Sequence, residues 1–136
     1  MVDERILGGC LCGAFRFAVR GPLADVRLCH CDTCRRANGS AFSANCRVPR
    51  NCFELLTDAT TLTEYKSSPN AWRTFCGTCG SPAFARTERD PDAVRIRIGT
   101  LSREVQVNIV GHVWVGSKAA WDRIGDELPC FEQAAS

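Results

Sequence analysis

Seven of the ten cysteines in this chain lie in three short motifs whose spacing is typical of metal ligands. The motifs are C-x-C at Cys10 and Cys12, C-x-C-x-x-C at Cys29, Cys31 and Cys34, and C-x-x-C at Cys76 and Cys79. Thiolate sulfurs around a divalent ion favour zinc, and none of the motifs has a spacing typical of an iron–sulfur cluster. The sequence therefore predicts metal chemistry built on cysteine.

The seven cysteines divide most simply into a set of four and a set of three. A structural zinc has four protein ligands, whereas a catalytic zinc has three and leaves one position for water or substrate. The first and last motifs together would enclose one zinc and close a loop of about 65 residues. The middle motif would hold a second zinc, whose fourth position is filled by solvent or by a substrate thiol.

Two other interpretations of the cysteines stay open. One is a disulfide framework, which the absence of a signal peptide disfavours. In the other, the middle motif recruits His30, His112 or Cys46 and closes a second structural zinc site. The isolated cysteines Cys46, Cys52 and Cys130 are expected to be ordinary small residues, either buried or at the surface.

The composition is that of one globular domain, which we expect to span residues 1–136. Hydrophobic residues make up 45% of the chain, which excludes wholesale disorder. The formal net charge of +2 becomes negative once seven thiolates and two zinc ions are counted. No window has the clustered basic residues typical of nucleic-acid binding, and no apolar run is long enough to cross a membrane. We expect a cytoplasmic protein without either kind of partner.

Most of the chain has the two-residue periodicity of β-strands. The alternation predicts strands over 13–21, 40–48, 93–101 and 105–116, and shorter runs near 52–57 and 61–67, with "AWRTF" and "SPAFART" on either side of the last cysteine motif. Arg95 and Arg97 alternate along one strand, which is typical of a solvated face.

Helix is expected to be sparse. The segment "DTCRRAN" predicts one or two helical turns over 32–38, with Asp32 as the N-cap and Gly39 just after the end. A second short turn is expected to begin at Ser117 and to continue through "KAAWD". Glycines beside the first and last cysteine motifs are expected to allow tight turns with positive φ.

In combination, these motifs resemble the glutathione-dependent formaldehyde-activating enzyme family, which also includes centromere protein V-type domains. The resemblance covers nearly the whole chain and is carried by "GGCLCGAFRF", "CHCDTCRRANGSAF", "FCGTCGSPAF" and "HVWVGSKAAWDRIGDELPCFE". It implies an Mss4-like fold. Such a fold is mainly β, with several small coiled antiparallel sheets held together by zinc and with very little helix. It also implies two zinc ions per chain, with Cys10, Cys12, Cys76 and Cys79 as structural ligands and Cys29, Cys31 and Cys34 as ligands of the catalytic zinc.

The resemblance further implies a carbon–sulfur lyase activity that joins glutathione and formaldehyde to give S-hydroxymethylglutathione. In this hypothesis the open zinc of the middle motif binds the substrate thiol as a thiolate, which is the nucleophile toward the carbonyl carbon. Glutathione carries two carboxylates, and Arg36, Arg47 and Arg73 are candidate partners for them. The alternative function is a non-catalytic binding module in which both zinc ions are structural.

The histidines and tryptophans carry weaker signals. His30 lies between two expected ligands, so alternation should point its side chain away from the metal, either as a nearby hydrogen-bond donor or at the surface. His112 is expected to be a core or rim residue of a strand rather than a base or a ligand. Trp72, Trp114 and Trp121 are expected in the core or in pocket walls.

Overall fold

The protein is mainly β, with one short α-helix. The computed structural model describes residues 5–102 and 105–134. The elements in chain order are β1 (Arg5–Gly9), β2 (Arg16–Arg20), β3 (Leu23–Cys29), α1 (Asp32–Asn38), β4 (Ser43–Pro49), β5 (Phe53–Leu55), β6 (Leu62–Ser68), β7 (Ala71–Cys76), β8 (Pro82–Thr87), β9 (Ala93–Arg97) and β10 (Val107–Val113). Short 3-10 turns cover Arg50–Cys52, Ile98–Thr100 and Val115–Ser117.

The strands form two sheets. A three-stranded sheet has the order β1-β2-β5, and a seven-stranded sheet has the order β10-β3-β4-β9-β8-β7-β6. The mainly β, antiparallel fold expected from the sequence is confirmed, with one exception in strand direction. β10 pairs with β3 in parallel, which places the end of β10 beside Cys29.

The seven-stranded sheet buries one of its faces in the main hydrophobic core. Side chains alternate between the two faces of a sheet, so each cross-strand row shares a face. One row places Val26 beside Cys46, Cys46 beside Ile96 and Ile96 beside Phe84. The first three of these residues are almost fully buried, and Phe84 packs against them.

The opposite face of the same sheet carries arginine. Arg27 lies opposite Asn45, which lies opposite Arg97, and in the next row Arg47 lies opposite Arg95. The sequence predicted that Arg95 and Arg97 lie on a solvated face. For Arg97 this prediction is wrong, because its exposed fraction is only 7%. β9 lies inside the sheet between β4 and β8, so its side chains have neighbours on both sides.

Four phenylalanines fill the space between the two sheets. Phe15 stacks on Phe17 with ring centroids 5.3 Å apart, and Phe17 stacks on Phe53 at 5.6 Å. Phe53 then meets Phe84 of the large sheet edge-on at 5.3 Å. Phe15 and Phe17 are fully buried, so the alternating pattern that predicted β2 also identified the main contacts of the core.

The four longer predicted strands are present as β2, β4, β9 and β10, each shorter than its periodic segment. Two strands were not predicted. β1 is a short segment that ends in two glycines, and β3 has Asp25 and Arg27 among its apolar residues. These two charged side chains belong to the polar face of the sheet. They interrupt the apolar pattern of the sequence, and β3 was therefore not predicted.

Helix α1 forms where it was predicted, but its N-cap is Cys31 rather than Asp32. The sulfur of Cys31 accepts the backbone N–H of Cys34 at 3.3 Å, which is the contact that a capping side chain makes. Asp32 lies in the first turn and accepts two hydrogen bonds from Nε of Arg36. Gly39 ends the helix with φ of 63°, as expected.

The chain beyond β10 returns along the outer edge of that strand. His112 N–H donates to the carbonyl of Pro129, and Phe131 N–H donates to the carbonyl of His112, each at 2.9 Å. The helical turn expected to begin at Ser117 is wrong: a 3-10 turn over Val115–Ser117 ends at that residue, and "KAAWD" forms no helix. The backbone hydrogen bond within this segment runs from Asp122 N–H to the carbonyl of Ala119, at 3.1 Å. Within the ranges 5–102 and 105–134, no helix has the length and apolar character needed to cross a bilayer.

Replacing Ile96 with alanine should lower the free energy of unfolding by about 2–5 kcal/mol, because the side chain is fully buried between Cys46 and Phe84. Urea unfolding of the metal-loaded protein measures the change. Leu11→Ala is the matched control, since Leu11 is 88% exposed and its truncation should change stability by less than about 0.5 kcal/mol. Equal effects of the two substitutions would contradict the assignment of the core.

Candidate metal centres and active site

Four cysteines from distant parts of the chain come together in one group, which we call the four-cysteine cluster. Its members are Cys10, Cys12, Cys76 and Cys79, and their sulfurs all lie within 4.8 Å of one another. The Cys10 and Cys12 sulfurs are 3.6 Å apart, and those of Cys12 and Cys76 are 3.7 Å apart. Sulfurs at ~2.3 Å from a tetrahedral zinc would be about 3.8 Å apart, so the spacing fits a zinc ion.

Two turns set the geometry of the four-cysteine cluster. Gly13 follows the first pair with φ of 84°, and Gly80 follows the second with φ of 81°, values that favour glycine. Phe15 N–H donates to the Cys10 sulfur at 3.2 Å, and the Ser81 hydroxyl lies 3.2 Å from the Cys79 sulfur. Contact with Ser81 lowers the pKa of the Cys79 thiol to about 5, which favours the thiolate form that a metal binds.

The middle motif forms a second group, the three-cysteine cluster of Cys29, Cys31 and Cys34. Cys29 ends β3, Cys31 caps α1 and Cys34 lies in the first turn of that helix, so one strand-to-helix turn delivers all three sulfurs. Their sulfurs lie within 4.8 Å of one another. Among the residues that the structure describes, no further His, Cys, Asp or Glu joins this group.

The three thiols strongly affect one another. Hydrogen bonds from Cys29 and Cys31, together with the charge of Arg73, lower the pKa of Cys34 to about 2. Hydrogen bonds to Cys31 and Cys34, together with burial, raise the pKa of Cys29. These contacts therefore favour the thiolate form at Cys34. A divalent ion would allow all three sulfurs to be thiolates, which fits the donor set for zinc.

The three-cysteine cluster opens into a cavity of about 450 Å³ on the arginine-bearing face of the large sheet. Six arginines contribute to its walls, together with a single acidic residue, Asp25. They are Arg27, Arg47, Arg73, Arg86, Arg95 and Arg97. A cavity with this lining has the size of a small-molecule site and the charge to attract an anionic ligand.

Four of these arginines already have carboxylate partners. Arg47 makes two hydrogen bonds to Asp90, at 2.6 and 2.9 Å, and Arg95 reaches the same carboxylate at 3.5 Å. Arg86 is paired with Glu64, at 2.8 Å, and Arg27 is paired with Asp25, at 3.0 Å. Within residues 5–102 and 105–134, Arg73 and Arg97 have no carboxylate within salt-bridge distance.

The arginines proposed from the sequence fall in different places. Arg73 donates from Nη2 to the Cys34 sulfur at 3.5 Å, and Arg47 lies on the cavity wall. Arg36 is not part of the lining, since its side chain is 80% exposed and is bound to Asp32. Arg97 is a cavity residue that the sequence did not single out. The signal was present in the alternation of Arg95 and Arg97, which places both on the face that carries Cys29.

His30 and His112 form a buried pair behind the three-cysteine cluster. Nε2 of His30 lies 2.8 Å from Nδ1 of His112, and Nε2 of His112 lies 2.9 Å from the carboxylate of Asp126. His30 is fully buried and points away from the three sulfurs, so of its two expected places the surface is wrong and the nearby hydrogen-bonding position agrees with the structure. His112 is the buried strand residue that was expected. Neither histidine belongs to the cavity lining or to the three-cysteine cluster.

The three tryptophans lie in three different environments. Trp114 forms part of the cavity wall, as expected, and has φ of 59°. Trp72 lies under the guanidinium of Arg86, which is 4.1 Å from its ring centroid. Trp121 is 71% exposed, so its predicted place in the core or a pocket is wrong.

The structure also decides between a disulfide framework and free thiols, and it gives the positions of the isolated cysteines. All ten cysteines lie in the described residues, and all are free thiols, which contradicts a disulfide framework. Cys46 belongs to the hydrophobic core, and Cys130 is exposed. Cys46 lies on the face of the sheet opposite to the cavity, where it could not complete the three-cysteine cluster.

Comparison with known proteins gives one family. The model of the glutathione-dependent formaldehyde-activating enzymes matches residues 5–117. The chain belongs to this family. All seven clustered cysteines lie inside the matched range, and the family consists of enzymes that act on formaldehyde with glutathione. The motifs that suggested the family from sequence therefore identified it correctly.

A solved structure gives a second comparison. The crystal structure of a Rhodobacter sphaeroides protein is 24% identical in sequence, with a TM-score of 0.63. The match covers 76% of this chain and 98% of the other. This likeness concerns the fold alone.

Replacing single cysteines should separate the two clusters. We expect about two zinc ions per chain in the wild type and about one in Cys31→Ser, with the fold retained, because Cys31 is only partly buried and its cluster lies within a single strand-to-helix turn. Cys12→Ser should lose the other zinc and lower the unfolding midpoint by about 10 °C or more, because its cluster links segments 64 residues apart.

Elemental analysis and thermal unfolding measure both effects. Cys130→Ser is the control, since Cys130 lies in neither cluster and should leave metal content and midpoint unchanged. Loss of both metals from Cys31→Ser would show one coupled centre instead of two.

Proposed function

We propose that the protein is a zinc-dependent carbon–sulfur lyase that forms and cleaves the adduct of formaldehyde with a thiol, glutathione or one similar to it. The observation that carries the proposal is the three-cysteine cluster at the wall of a cavity, without a fourth His, Cys, Asp or Glu ligand among the described residues. Three protein ligands and one open position are typical of a catalytic zinc. Membership of the family supports the choice of thiol and aldehyde.

The proposed reaction needs no further reactant. A sulfur–carbon bond forms, the carbonyl double bond becomes a carbon–oxygen single bond, and the thiol proton ends on the hydroxymethyl oxygen. A zinc ion held by Cys29, Cys31 and Cys34 would supply the affinity for a thiolate that brings the nucleophile into the cavity. The reverse reaction breaks the same bond, which is the lyase direction.

The arginines of the cavity would bind the remainder of the thiol substrate. Arg73 lies beside the cluster and has no carboxylate partner among the described residues, and Arg47 lies farther along the wall, bound to Asp90. Two carboxylates of a peptide-like thiol could reach these two guanidinium groups. Asp25, which is paired with Arg27, is the acidic group of the lining among the described residues and would suit the ammonium group of glutathione.

The apolar part of the cavity would position the small aldehyde. Val113, Ala71 and Ala85 contribute to the lining, and Trp114 adds a half-exposed aromatic wall. We place this activity in a single domain of 136 residues and in a reducing compartment such as the cytoplasm. That compartment would keep the ten thiols free.

The reaction can be measured although the adduct also forms without a catalyst. Exchange between isotopically labelled formaldehyde and its glutathione adduct is followed by nuclear magnetic resonance at equilibrium. The exchange rate should rise in proportion to the concentration of the zinc-loaded protein. Cys31→Ser should lose at least about 100-fold of the added rate, because it removes one of three groups that hold the ion.

Cys130→Ser is the matched control and should retain the wild-type rate, since Cys130 lies outside both clusters. If protein with two zinc ions bound leaves the exchange rate at its uncatalysed value, the lyase proposal is contradicted. That result would instead support the binding module, in which both zinc ions are structural.

A further inference from the structure

Two cations beside the three-cysteine cluster, the buried Arg97 and the partly buried Arg73, have no carboxylate within salt-bridge distance in the part of the chain that the structure describes. Arg97 makes one long hydrogen bond, from Nη1 to the carbonyl of Arg95 at 3.4 Å, and its Nε has no partner there. Arg73 donates to the Cys34 sulfur at 3.5 Å, while its Nε and Nη1 have none. The other four arginines of the cavity are each paired with a carboxylate.

Arg97 carries its charge despite burial. Burial and the charge of Arg73 lower the pKa of Arg97 to about 10, so its guanidinium stays protonated at neutral pH. The charges of Cys34 and Cys29 act in the opposite direction on the same group. An ion in the protein interior is stable only when an opposite charge is near it. Among the described residues neither arginine has a carboxylate within salt-bridge distance, whereas Arg73 contacts the Cys34 sulfur and Arg97 lines the same cavity as the three cysteines.

The four-cysteine cluster is stabilised differently. Its sulfurs accept a hydrogen bond from the backbone N–H of Phe15 and contact the hydroxyl of Ser81. Cys12 is exposed to solvent, so water can also compensate the charge of the sulfurs. A zinc ion with four thiolates has a net charge of −2, and that cluster can hold it near the surface.

The three-cysteine cluster has a different charge balance. Three thiolates and one zinc ion have a net charge of −1, and a thiolate in the fourth position would make it −2 within the cavity wall. The two unpaired guanidinium groups add +2, which makes the whole assembly neutral. A neutral ligand in the fourth position would leave it at +1.

We propose that Arg73 and Arg97 are the counter-charges for a fourth thiolate, and that they make the open position selective for ligands that bind as anions. This inference rests on the proposed function, because it assumes an open metal site at the three-cysteine cluster. In this inference the two arginines compensate the charge of the substrate thiolate. Arg73 can in addition contact a carboxylate of the substrate. Both arginines are positioning residues that act through charge.

The test uses a thiol without any other charge, so that carboxylate binding cannot contribute. The protein is loaded with Co²⁺, whose absorption spectrum reports the ligands of the ion, and titrated with 2-mercaptoethanol and separately with imidazole. In Arg97→Met and Arg73→Met the affinity for 2-mercaptoethanol should fall by about 10- to 100-fold. The affinity for imidazole, which binds as a neutral ligand, should change by less than about 3-fold.

Three further variants separate charge from structure. Arg97→Lys and Arg73→Lys keep the charge and should recover most of the affinity for 2-mercaptoethanol. Arg36→Met removes an equal charge from the exposed side of α1, outside the cavity, and should leave both affinities unchanged. Since Arg73 is only partly buried, Arg73→Met and Arg73→Lys decide the question even if Arg97→Met does not fold.

Two results would overturn the inference while leaving the proposed function intact. The methionine variants could bind 2-mercaptoethanol as well as the wild type does, or they could lose 2-mercaptoethanol and imidazole to the same extent. If the wild-type cobalt protein has no spectral response to any thiol, the open site itself is absent, and the proposed function is contradicted together with the inference.

Discussion

The electrostatic cost of placing three sulfurs in contact is the constraint on which the rest of this structure depends. Cys29, Cys31 and Cys34 lie within 4.8 Å of one another in a partly buried turn, where thiolates repel each other. Contact with its neighbours and with Arg73 lowers the pKa of Cys34, whereas hydrogen bonds to Cys31 and Cys34 and burial raise the pKa of Cys29. With a metal, positive charge from the ion and from Arg73 and Arg97 would compensate all three. Within the described residues, Arg73 and Arg97 are the two cavity arginines that no carboxylate already neutralises.

The fold meets this requirement by giving the two faces of one sheet different tasks. One face buries Val26, Cys46 and Ile96 in the core, and the other presents arginines from neighbouring strands toward the ends of β3 and α1. The four-cysteine cluster helps to position a cation of the cavity although it lies at some distance from it. It fixes the end of β7 at Cys76, three residues beyond Arg73 on the same strand, so metal binding at one cluster would help to position a cation at the other.

The sequence was most informative where the relevant signal is local. The spacing of the cysteines defined both clusters, and the alternation of Phe15 and Phe17 identified the core side of β2. Arg97 was missed because its burial depends on β9 lying between β4 and β8, which no local pattern records. Contact between His30 and His112 depends on the parallel pairing of β3 with β10, and it joins residues 82 positions apart.

X-ray absorption at the zinc edge tests the open position of the three-cysteine cluster most directly. The purified protein with two zinc ions should have about 3.5 sulfurs and about 0.5 lighter atoms per zinc, averaged over both sites. Addition of glutathione should raise the sulfur number to about 4 and remove the lighter atom. A zinc environment with four protein ligands at both sites and no response to thiol would contradict the account, as would a three-cysteine cluster that carries no metal in intact protein.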